Sequence, residues 1–432
     1  MPLFLAGRIG CLLILGGFCS FVATNVQAED AAKPRPLPVG IPGEFERQAG
    51  LVLSWKSEEV PVIGTLLEIG QIASKRAPLV VLVSSPNERE DAEIAFEAAK
   101  IDMRKVEFIE APVDTIWARD FGPVVVRNAD GSAHFVDSDY DDGDRPQDDN
   151  IPPVLAAAMG AKCKRSLLTI EGGNLLSNGA GLCLTTSKTV ADNVLRGYEH
   201  PQIAPLVRSM FQCRDVAILE PLVGEPTGHV DMFAMFTSED CVVVATIDPV
   251  RDPVNAAVLD RNAKKLAGYP TPSGPLHVER IPMPVQDEGL WRSFTNALLF
   301  NGVVMMPTYQ GVDPRMQRDA AEVYRRLLPG WQVRGIDCTK LIRLGGAVHC
   351  VTLNLPELKP AGRQDQRQPE QVDQRQPAEP PFVYTEEFDL EFAPFARERF
   401  EGRGRDDVSH SEYERRPIFA HPDRSSFPAD EP

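Results

Sequence analysis

The sequence predicts an α/β fold with one main core between about residues 42 and 355, and two observations support this prediction. Short apolar runs of strand length alternate along this stretch with segments of helical periodicity. The composition is that of an ordinary globular protein, because 43% of the 432 residues are hydrophobic and 25% are charged. A chain of this length can bury a large core, so the alternating segments are expected to pack together.

Strands and helices alternate in the predicted order of elements. The first five are a strand at 51–55, a helix at 62–75, a strand at 79–84, a helix at 91–100 and a strand at 106–111. Pro61 directly precedes the first helix, where proline suits the opening turn. Residues 124–126 and 134–136 flank Asp130-Gly131, a pair typical of a β-hairpin turn. Later elements are strands at 241–247 and 303–307 and a helix at 315–328, which Pro329-Gly330 ends.

The first residues have the pattern of an export signal. Arg8 gives a positive start, residues 11–22 are apolar, and Val26-Gln27-Ala28 has the small-x-small pattern of a cleavage site. The alternative is a membrane anchor, but this apolar run is short for a spanning helix. We therefore predict a signal peptide at 1–28, a linker at 29–41, and export to the periplasm or the outside of the cell, with no membrane attachment after cleavage.

The last part of the chain differs from the core in composition. Residues 365–369 (Asp-Gln-Arg-Gln-Pro) recur as residues 373–377, and such polar repeats cannot bury a core. We expect the segment 357–432, which is rich in Pro, Gln and charge, to be disordered. Several aromatic residues within 382–400 leave open a second use, docking on a surface, and the sequence does not decide the role of this tail.

The chain is acidic, with a formal net charge of −17 at pH 7. Loss of residues 1–28 removes one positive charge, Arg8, and leaves −18. Nucleic-acid binding depends on basic patches, so this class of partner is not expected. A negative field favours cationic small molecules or basic peptides as partners, although simple solubility explains the same charge.

Eight cysteines occur in the chain, and six remain beyond the predicted signal peptide. These six are Cys163, Cys183, Cys213, Cys241, Cys338 and Cys350. They form no Cys-x-x-Cys pair, so the sequence predicts no zinc or other metal site. Some of them could pair in an exported protein, and their spacing leaves the pairing open.

Four short segments place polar residues within apolar stretches, which suggests that they meet at one pocket. They are residues 117–123 with Asp120, 171–174 with Glu171, 228–231 and 345–350. Asp120 could bind a substrate cation, or it could cap a turn as Asp commonly does. The paired glycines after Glu171 allow another group to approach the backbone closely, or they form a plain tight turn.

His229 and Asp231 form a candidate pair in the third segment. If Gly228-His229-Val230-Asp231 is a strand, residues two apart share a face, so both side chains point the same way while Val230 points into the core. Such a pair suits acid/base chemistry beside a charged substrate. A structural His satisfied by hydrogen bonds fits the same pattern, and the residues alone do not separate the two uses.

Cys350 follows a Gly-rich turn, Gly345-Gly346, near the end of the predicted core. This position predicts a thiol at an exposed turn, whereas free cysteines are most often buried. His349 is adjacent, but neighbouring side chains on a strand point to opposite faces. We therefore expect His229, rather than His349, to act as the base for Cys350.

In their order along the chain, these segments resemble the agmatine deiminase and Porphyromonas-type peptidylarginine deiminase family. The resemblance is carried by Gly43-Glu44-Phe45-Glu46, residues 51–55, Trp-x-Arg-Asp-x-Gly-Pro, Glu-Gly-Gly-Asn, Gly-His-Val-Asp, Phe294-Thr295-Asn296 with Asn301-Gly302, and Gly-Gly-x-x-His-Cys. It covers roughly residues 42–355 and implies a catalytic deiminase domain at 42–356. The implied fold is a pentein, a five-bladed α/β propeller of ββαβ-type units around a central active-site pocket.

The resemblance also implies roles for eight residues. Cys350 is the implied nucleophile and His229 the implied acid/base, while Asp120 and Asp231 hold the guanidinium nitrogens. The residues implied to orient His229 or to line the substrate pocket are Glu171, Trp117, Asn296 and Asn174. A thiolate attacks the guanidinium carbon, ammonia leaves, and water releases a ureido product from a covalent thiouronium intermediate. This chemistry needs no metal or organic cofactor.

The substrate class is a guanidinium compound derived from arginine. Predicted export favours peptidyl-arginine, which would become peptidyl-citrulline, and agmatine is the alternative, with N-carbamoylputrescine as its product. Two departures from the family pattern weaken agmatine: Ala347-Val348 before Cys350, and Val-Thr-Leu-Asn-Leu after it. Free arginine as the substrate, a non-catalytic guanidinium-binding protein and an amidinotransferase remain further alternatives. The oligomeric state is not predicted.

Overall fold

The computed structural model describes residues 39–140 and 145–357. The predicted signal peptide at 1–28, the predicted linker up to residue 38 and the predicted disordered tail beyond residue 357 lie outside the described residues. These three expectations therefore stay predictions. Among the helices of the described ranges, none is both long enough and apolar enough to cross a membrane.

Eighteen strands and eight helices form the described part of the chain. The strands are β1 Gln48–Ser54, β2 Leu79–Val83, β3 Val106–Glu110, β4 Val124–Arg127, β5 Ala133–Asp139, β6 Lys162–Thr169, β7 Leu176–Ser177, β8 Leu182–Thr186, β9 Asp215–Leu219, β10 Ala234–Ser238, β11 Cys241–Thr246, β12 Pro270–Thr271, β13 Gly274–Pro275, β14 His277–Pro282, β15 Leu298–Phe300, β16 Val303–Thr308, β17 Gln332–Asp337 and β18 Thr352–Pro356. The helices are α1 Val60–Ala73, α2 Pro86–Ala98, α3 Ala118–Phe121, α4 Ile151–Ala158, α5 Ser187–Leu195, α6 His200–Phe211, α7 Pro253–Leu266 and α8 Pro314–Leu327.

Five mixed sheets of three or four strands are built from these elements within the described residues, beside the small pair β12-β13. Four of the five share one plan: an antiparallel pair, a helical crossover, and a last strand parallel to the second. They are β4-β5-β6, β7-β8-β9, β10-β11-β14 and β15-β16-β17. Each is a ββαβ-type unit, as the family resemblance implies.

The remaining sheet joins the two ends of the described chain. Strand β18 pairs with β1 in antiparallel register, with Leu51 opposite Asn354 and Leu53 opposite Thr352. Strand β1 continues in parallel to β2, and β2 to β3. Strand β18 therefore completes the first sheet. Five connections lead from one sheet to the next, namely β3 to β4, β6 to β7, β9 to β10, β14 to β15 and β17 to β18.

The inner strands of these sheets are buried on both faces. All five residues of β2 are buried, and β11 is buried up to Ala245. Continuous apolar runs of this kind are typical of parallel strands that helices cover. Capping residues fix where helices begin: Ser85 accepts a hydrogen bond from the backbone N of Glu88 at the start of α2, and Asp313 caps α8 before Pro314.

The predicted α/β alternation is confirmed, with two corrections. The hairpin around Asp130-Gly131 is β4 paired with β5, and Gly131 has a φ of +81°. Helix α2 begins at Pro86 rather than at residue 91, because Ser85 provides an earlier cap. The buried apolar residues form one large cluster and two smaller ones rather than a single core, since separate sheets bury separate faces.

One disulfide, Cys183–Cys213, is present in the described part of the chain. It joins strand β8 to the segment that follows α6. The cysteines outside it are Cys163, Cys241, Cys338 and Cys350. The structure thus supplies the pairing that the sequence left open, and it leaves the thiol of Cys350 free, as a nucleophile requires.

Candidate active site

The five connections between sheets bring the predicted site residues into one region. Trp117 and Asp120 lie between β3 and β4, Glu171 and Asn174 between β6 and β7, His229 and Asp231 between β9 and β10, Asn296 between β14 and β15, and Cys350 between β17 and β18. Every connection between sheets therefore contributes to the site. This topology explains why the motifs are spread along the whole domain.

Gly173 marks the point where three of these side chains meet. A Cβ atom on Gly173 would lie 2.5 Å from Asp120 Oδ1, 2.7 Å from His229 Nδ1 and 3.1 Å from Asp231 Oδ2. The backbone N of Gly173 donates to Asp120 Oδ1 at 3.0 Å. At Gly172 a Cβ would lie 2.0 Å from the backbone oxygen of Arg119, which belongs to the connection between β3 and β4. The close approach predicted from the paired glycines is confirmed.

His229 is buried between carboxylates. Its Nε2 contacts Glu171 Oε2, and its Nδ1 lies 3.7 Å from Asp120 Oδ1. Burial works to lower the pKa of His229, but the charges of Glu171 and Asp120 raise it to about 10. Burial works to raise the pKa of Glu171, but His229 holds it below its usual value. The pair is therefore an imidazolium and a carboxylate, and the imidazolium can donate a proton.

The two aspartates differ in their surroundings. Burial raises the pKa of Asp120 to about 7; the charge of His229 opposes this shift and Glu171 adds to it. Asp231 is fully buried, and its Oδ2 accepts a hydrogen bond from His349 Nδ1 at 2.7 Å. Its Oδ1 is buried without a hydrogen-bond partner among the described residues. Such an acceptor suits a planar cation that donates several N–H groups.

The thiol of Cys350 lies against one of these aspartates. Its Sγ is 3.8 Å from Asp231 Oδ2, and Asn296 Nδ2 donates to it at 3.1 Å. Burial, with the charges of Asp231 and Asp120, raises the pKa of the Cys350 thiol well above its usual value. The reactive thiolate therefore needs a neighbouring cation in order to form.

Trp117 forms a wall beside this thiol. A Cβ on Gly346 would lie 2.6 Å from the Trp117 ring and 3.0 Å from Cys350 Sγ. The ring and the thiol can approach each other only because residue 346 has no side chain. The half-buried Trp117 ring therefore lies beside the sulfur of Cys350.

The predicted strand at 228–231 is wrong. Val230–Met232 form a 3₁₀ turn that begins after His229. Gly228 has a φ of +64°, and Asn174 Oδ1 accepts a hydrogen bond from the backbone N of Val230 at 3.1 Å, so the chain turns here. Even so, His229 and Asp231 converge as predicted, because a turn also brings together side chains two residues apart.

The predicted exposed turn at Cys350 is also wrong in part. Cys350 does lie in a turn, but it is only 4% exposed, because Asn296 and the wall formed by Trp117 lie against it. The departures from the family pattern after Cys350 belong to β18, which pairs with β1. This strand is buried, and its residues Leu353 and Asn354 also line a cavity together with Glu44 and Arg119.

Asn174 occupies a different place from the other predicted residues. Its Nδ2 donates to Thr189 Oγ1 at 3.0 Å, and its Oδ1 accepts from the backbone N of both Thr186 and Val230. The Asn174 side chain thus fixes the turn that carries His229. Direct contact between Asn174 and a substrate stays a prediction.

Three further residues, Glu44, Arg119 and His349, contact the site although no role was predicted for them from the sequence. Glu44 Oε1 lies 2.8 Å from Arg119 Nη1 and 2.9 Å from His349 Nε2. All three stand inside the family motifs quoted above. Their contacts join segments that are far apart along the chain, and periodicity cannot reveal such contacts.

The arrangement combines a buried thiol, a protonated histidine and two carboxylates around one point. This set suits nucleophilic attack on a planar, cationic carbon, because carboxylates bind the cation and the imidazolium protonates a leaving amine. No group of three or more His, Cys, Asp or Glu residues in the described ranges is placed to hold a metal ion.

A sequence model of the family described as Porphyromonas-type peptidyl-arginine deiminase matches residues 40–356. The chain belongs to this family. The eight predicted site residues all lie inside the matched range. This deiminase is therefore a hydrolase that acts on C–N bonds of linear amidines, and the resemblance carried by its motifs is confirmed.

Relatives and solved structures agree with this family. A Shewanella sp. (strain MR-7) protein assigned as an agmatine deiminase is 27% identical over 300 residues, which cover 61% of this chain and 79% of that protein. The C. jejuni agmatine deiminase structure is 19% identical with a TM-score of 0.63, and it covers 74% of this chain and 96% of its own. The agmatine deiminase of Enterococcus faecalis is 22% identical with a TM-score of 0.62, at 74% and 96% coverage. This deiminase therefore shares their α/β fold of mixed sheets, the pentein fold.

Replacement of Gly173 by Ala tests the convergence of the site. The new Cβ would collide with Asp120, His229 and Asp231, so we expect deimination to fall by about a hundredfold or more. The melting temperature should change little, because the site lies in connections rather than strands. Gly64→Ala is the matched control: apart from the neighbouring backbone of its own helix, no atom lies within 4 Å of its Cβ position, and activity should be unchanged. Full activity in Gly173→Ala, measured as ammonia release, would refute this geometry.

Proposed function

We propose that this deiminase hydrolyses agmatine to N-carbamoylputrescine and ammonia. The observation that carries the proposal is the convergence of the protonated His229 and two carboxylates around Gly173, with the Cys350 thiol beside one of these carboxylates, Asp231. The relatives and structures described above are assigned as, or named, agmatine deiminases. These comparisons favour agmatine over the peptidyl-arginine substrate that predicted export favours.

Substrate binding is the first step of the proposed mechanism. A guanidinium is planar and donates N–H bonds from each nitrogen, so Asp120 and Asp231 can hold it through charge-assisted hydrogen bonds. The Asp231 Oδ1 atom, which has no partner among the described residues, becomes satisfied in this complex. The bound cation also offsets the negative charge that keeps the Cys350 thiol protonated. Binding of the substrate therefore promotes formation of the thiolate, and the thiol proton passes to solvent water because His229 is already protonated.

The chemical steps use His229 twice. The Cys350 thiolate attacks the guanidinium carbon, a C–S bond forms, and the C=N electron pair moves onto nitrogen. The His229 imidazolium then donates its proton to the leaving nitrogen, the C–N bond breaks, and ammonia departs. In the second half, water gives one proton to neutral His229 and adds to the thiouronium carbon. The C–S bond then breaks as the C=O bond of the ureido product forms, and the proton of the added hydroxyl passes to the departing sulfur, which restores the Cys350 thiol. Glu171 holds the imidazole ring in place throughout.

Peptidyl-arginine is a second candidate substrate, because the matching family model is described by that activity. The reacting guanidinium is the same in both substrates, so the residues around Cys350 serve either one. The difference lies in what the rest of the pocket accepts: a free amine in agmatine, or a peptide backbone. A substrate comparison separates the two.

The proposal includes a five-bladed arrangement of the sheets around the site. Four sheets share the ββαβ-type order, and β18 completes the remaining sheet by pairing with β1. All five connections between sheets supply site residues. An α/β propeller with the site at its centre accounts for these observations together, because equivalent connections then meet at one axis.

The substrate is identified by parallel assays on one protein preparation. Agmatine, free arginine and an arginine-containing peptide are each incubated with reduced enzyme, and ammonia and ureido product are measured. We expect turnover of agmatine, with a loss of about a thousandfold or more in Cys350→Ser because the nucleophile is gone. Turnover of the peptide alone would replace agmatine by the second candidate. Absence of product from all three, or amidine transfer to added glycine, would refute the hydrolase proposal.

The pH profile of kcat/KM tests the two charged groups. Asp120 must be ionised to bind the cation, so activity should rise as pH increases through about 7. His229 must be protonated to donate, so activity should fall as pH increases through about 10. In Asp120→Asn the lower limb should disappear together with most of the activity. A profile of the intact enzyme with its maximum in the acidic range would contradict these assignments.

Export is also proposed, and the disulfide supports it, because disulfides persist mainly in oxidising compartments. If the chain is produced with its N-terminus intact in a host that exports it, we expect a mature protein that begins at Glu29. Intact mass and a non-reducing peptide map would establish the start and the Cys183–Cys213 link. A retained N-terminus with both thiols reduced would contradict export.

A further inference from the structure

We infer that His349 is a positioning residue, whose imidazolium, anchored by Glu44 and Arg119, orients the Asp231 carboxylate to receive the guanidinium. This inference rests on the proposed binding of a guanidinium by Asp231. It adds a second buried histidine to the site, with a role separate from the proton transfer by His229.

The first observation is that His349 bridges two carboxylates. The residue is fully buried, its Nδ1 lies 2.7 Å from Asp231 Oδ2, and its Nε2 lies 2.9 Å from Glu44 Oε1. A neutral imidazole has one N–H, so it can donate to only one of two carboxylates. The geometry therefore requires the doubly protonated ring, which donates to both.

The surrounding charges agree with a protonated ring. Burial and the charge of Arg119 work to lower the pKa of His349, but Glu44 and Asp231 raise it above its usual value. Burial also works to raise the pKa of Glu44, yet Arg119 and His349 lower it to about 2. Glu44 is thus ionised at every pH at which the enzyme would act.

Arg119, which holds Glu44 in this bridge, also contacts the segment that carries Cys350. Arg119 Nη1 lies 2.8 Å from Glu44 Oε1, and Arg119 Nη2 donates to Asn354 Oδ1 at 2.7 Å. The backbone N of Arg119 donates to the carbonyl of Cys350 at 3.1 Å, and Asp120 is the next residue in the chain. Arg119 therefore links the segment of Glu44 to the connections that carry Asp120 and Cys350.

The bridge fixes which oxygen of Asp231 is occupied. His349 holds Oδ2, while Oδ1 is the atom without a partner among the described residues. Without the hydrogen bond from His349, the Asp231 carboxylate would be free to rotate. It would then hold the bound cation in a less defined orientation. His349 also precedes Cys350, and the backbone N of both residues lies within 3.4 Å of Asn296 Oδ1. Orientation of Asp231 and of the thiol is therefore coupled.

Two conservative variants of His349 separate positioning from mere structure. His349→Asn keeps an N–H donor near the Nδ1 position, which serves Asp231, whereas His349→Gln carries its donor near Nε2, which serves Glu44. We expect His349→Gln to lose about tenfold or more in kcat/KM, since a hydrogen bond to a charged group is lost. The loss should be smaller in His349→Asn. Exposed His277, replaced by Gln, is the matched control and should leave kcat/KM unchanged.

The pH profile separates loss of positioning from general disturbance of the site. The charged groups that face His349 are Asp231, Glu44 and Arg119. His349 is not among the groups that shift the pKa of Asp120 or of His229. Both limbs of kcat/KM should therefore stay in place in the His349 variants while its maximum falls, and displaced limbs would indicate a disturbed site and overturn the positioning role.

A pair of thiol reagents tests the inference without turnover. The amidinium reagent 2-chloroacetamidine and its neutral twin 2-chloroacetamide carry the same leaving group, and Cys350→Ser gives the background from other cysteines. In the intact enzyme Cys350 should react faster with the amidinium reagent, because the carboxylates bind it. His349→Gln should lose about tenfold of this preference, because the lost hydrogen bond to Asp231 weakens cation binding.

The outcomes of this experiment are distinct. A preference for the amidinium reagent within twofold of that of the intact enzyme in both folded His349 variants would overturn the positioning role. The positioning role would be supported if both variants lose preference for the amidinium reagent and His349→Asn loses less of it than His349→Gln. This result would support the role even if none of the tested substrates is turned over. If the intact enzyme shows no preference for the amidinium reagent, the inference is overturned. If, in addition, none of the tested substrates is turned over, guanidinium binding is removed from the proposed function as well.

Discussion

The contact between His229 and Glu171 is the interaction on which the rest of the site depends. It places a cation among buried acids, and that cation limits the electrostatic cost of burying Asp120 and Asp231 close together. Without it, Asp120 would take up a proton more readily, because the charge of His229 opposes the rise of the Asp120 pKa. In the proposed mechanism, the same contact fixes the ring that donates to the leaving nitrogen. One ion pair would then serve both the stability of the buried cluster and acid catalysis.

Backbone geometry brings these charges together. Gly172 and Gly173 let one connection pass so close to its neighbours that a Cβ at either position would overlap another group. Gly346 plays the same part between Trp117 and Cys350. The strands do not carry the reacting groups; they hold the ends of five connections at fixed positions. The fold therefore acts as a rigid frame, and the chemistry lies in loops whose glycines allow contact distances.

Local signals in the sequence predicted local structure well. The Asp130-Gly131 turn and the helix before Pro329 follow from residues next to each other, and both are present. The turn after His229 was missed, because a strand and a 3₁₀ turn can both bring residues two apart together. Glu44 was missed as a site residue because its partner His349 lies 305 positions away, and such a contact has no periodic trace. The resemblance of ordered motifs, rather than periodicity, pointed to Cys350, His229, Asp120 and Asp231 as one group, and the structure brings these residues together.

The raised pKa of the Cys350 thiol gives the site a form of selectivity. In the absence of a cation, burial and the charges of Asp231 and Asp120 keep the sulfur protonated and weakly reactive. In the proposed mechanism a bound guanidinium reverses this balance, so that the same carboxylates recognise the substrate and promote formation of the thiolate. Neutral electrophiles and oxidants lack that effect and meet a thiol rather than a thiolate. A buried, cation-dependent thiol is thus compatible with an oxidising compartment, where an exposed thiolate would be lost to oxidation.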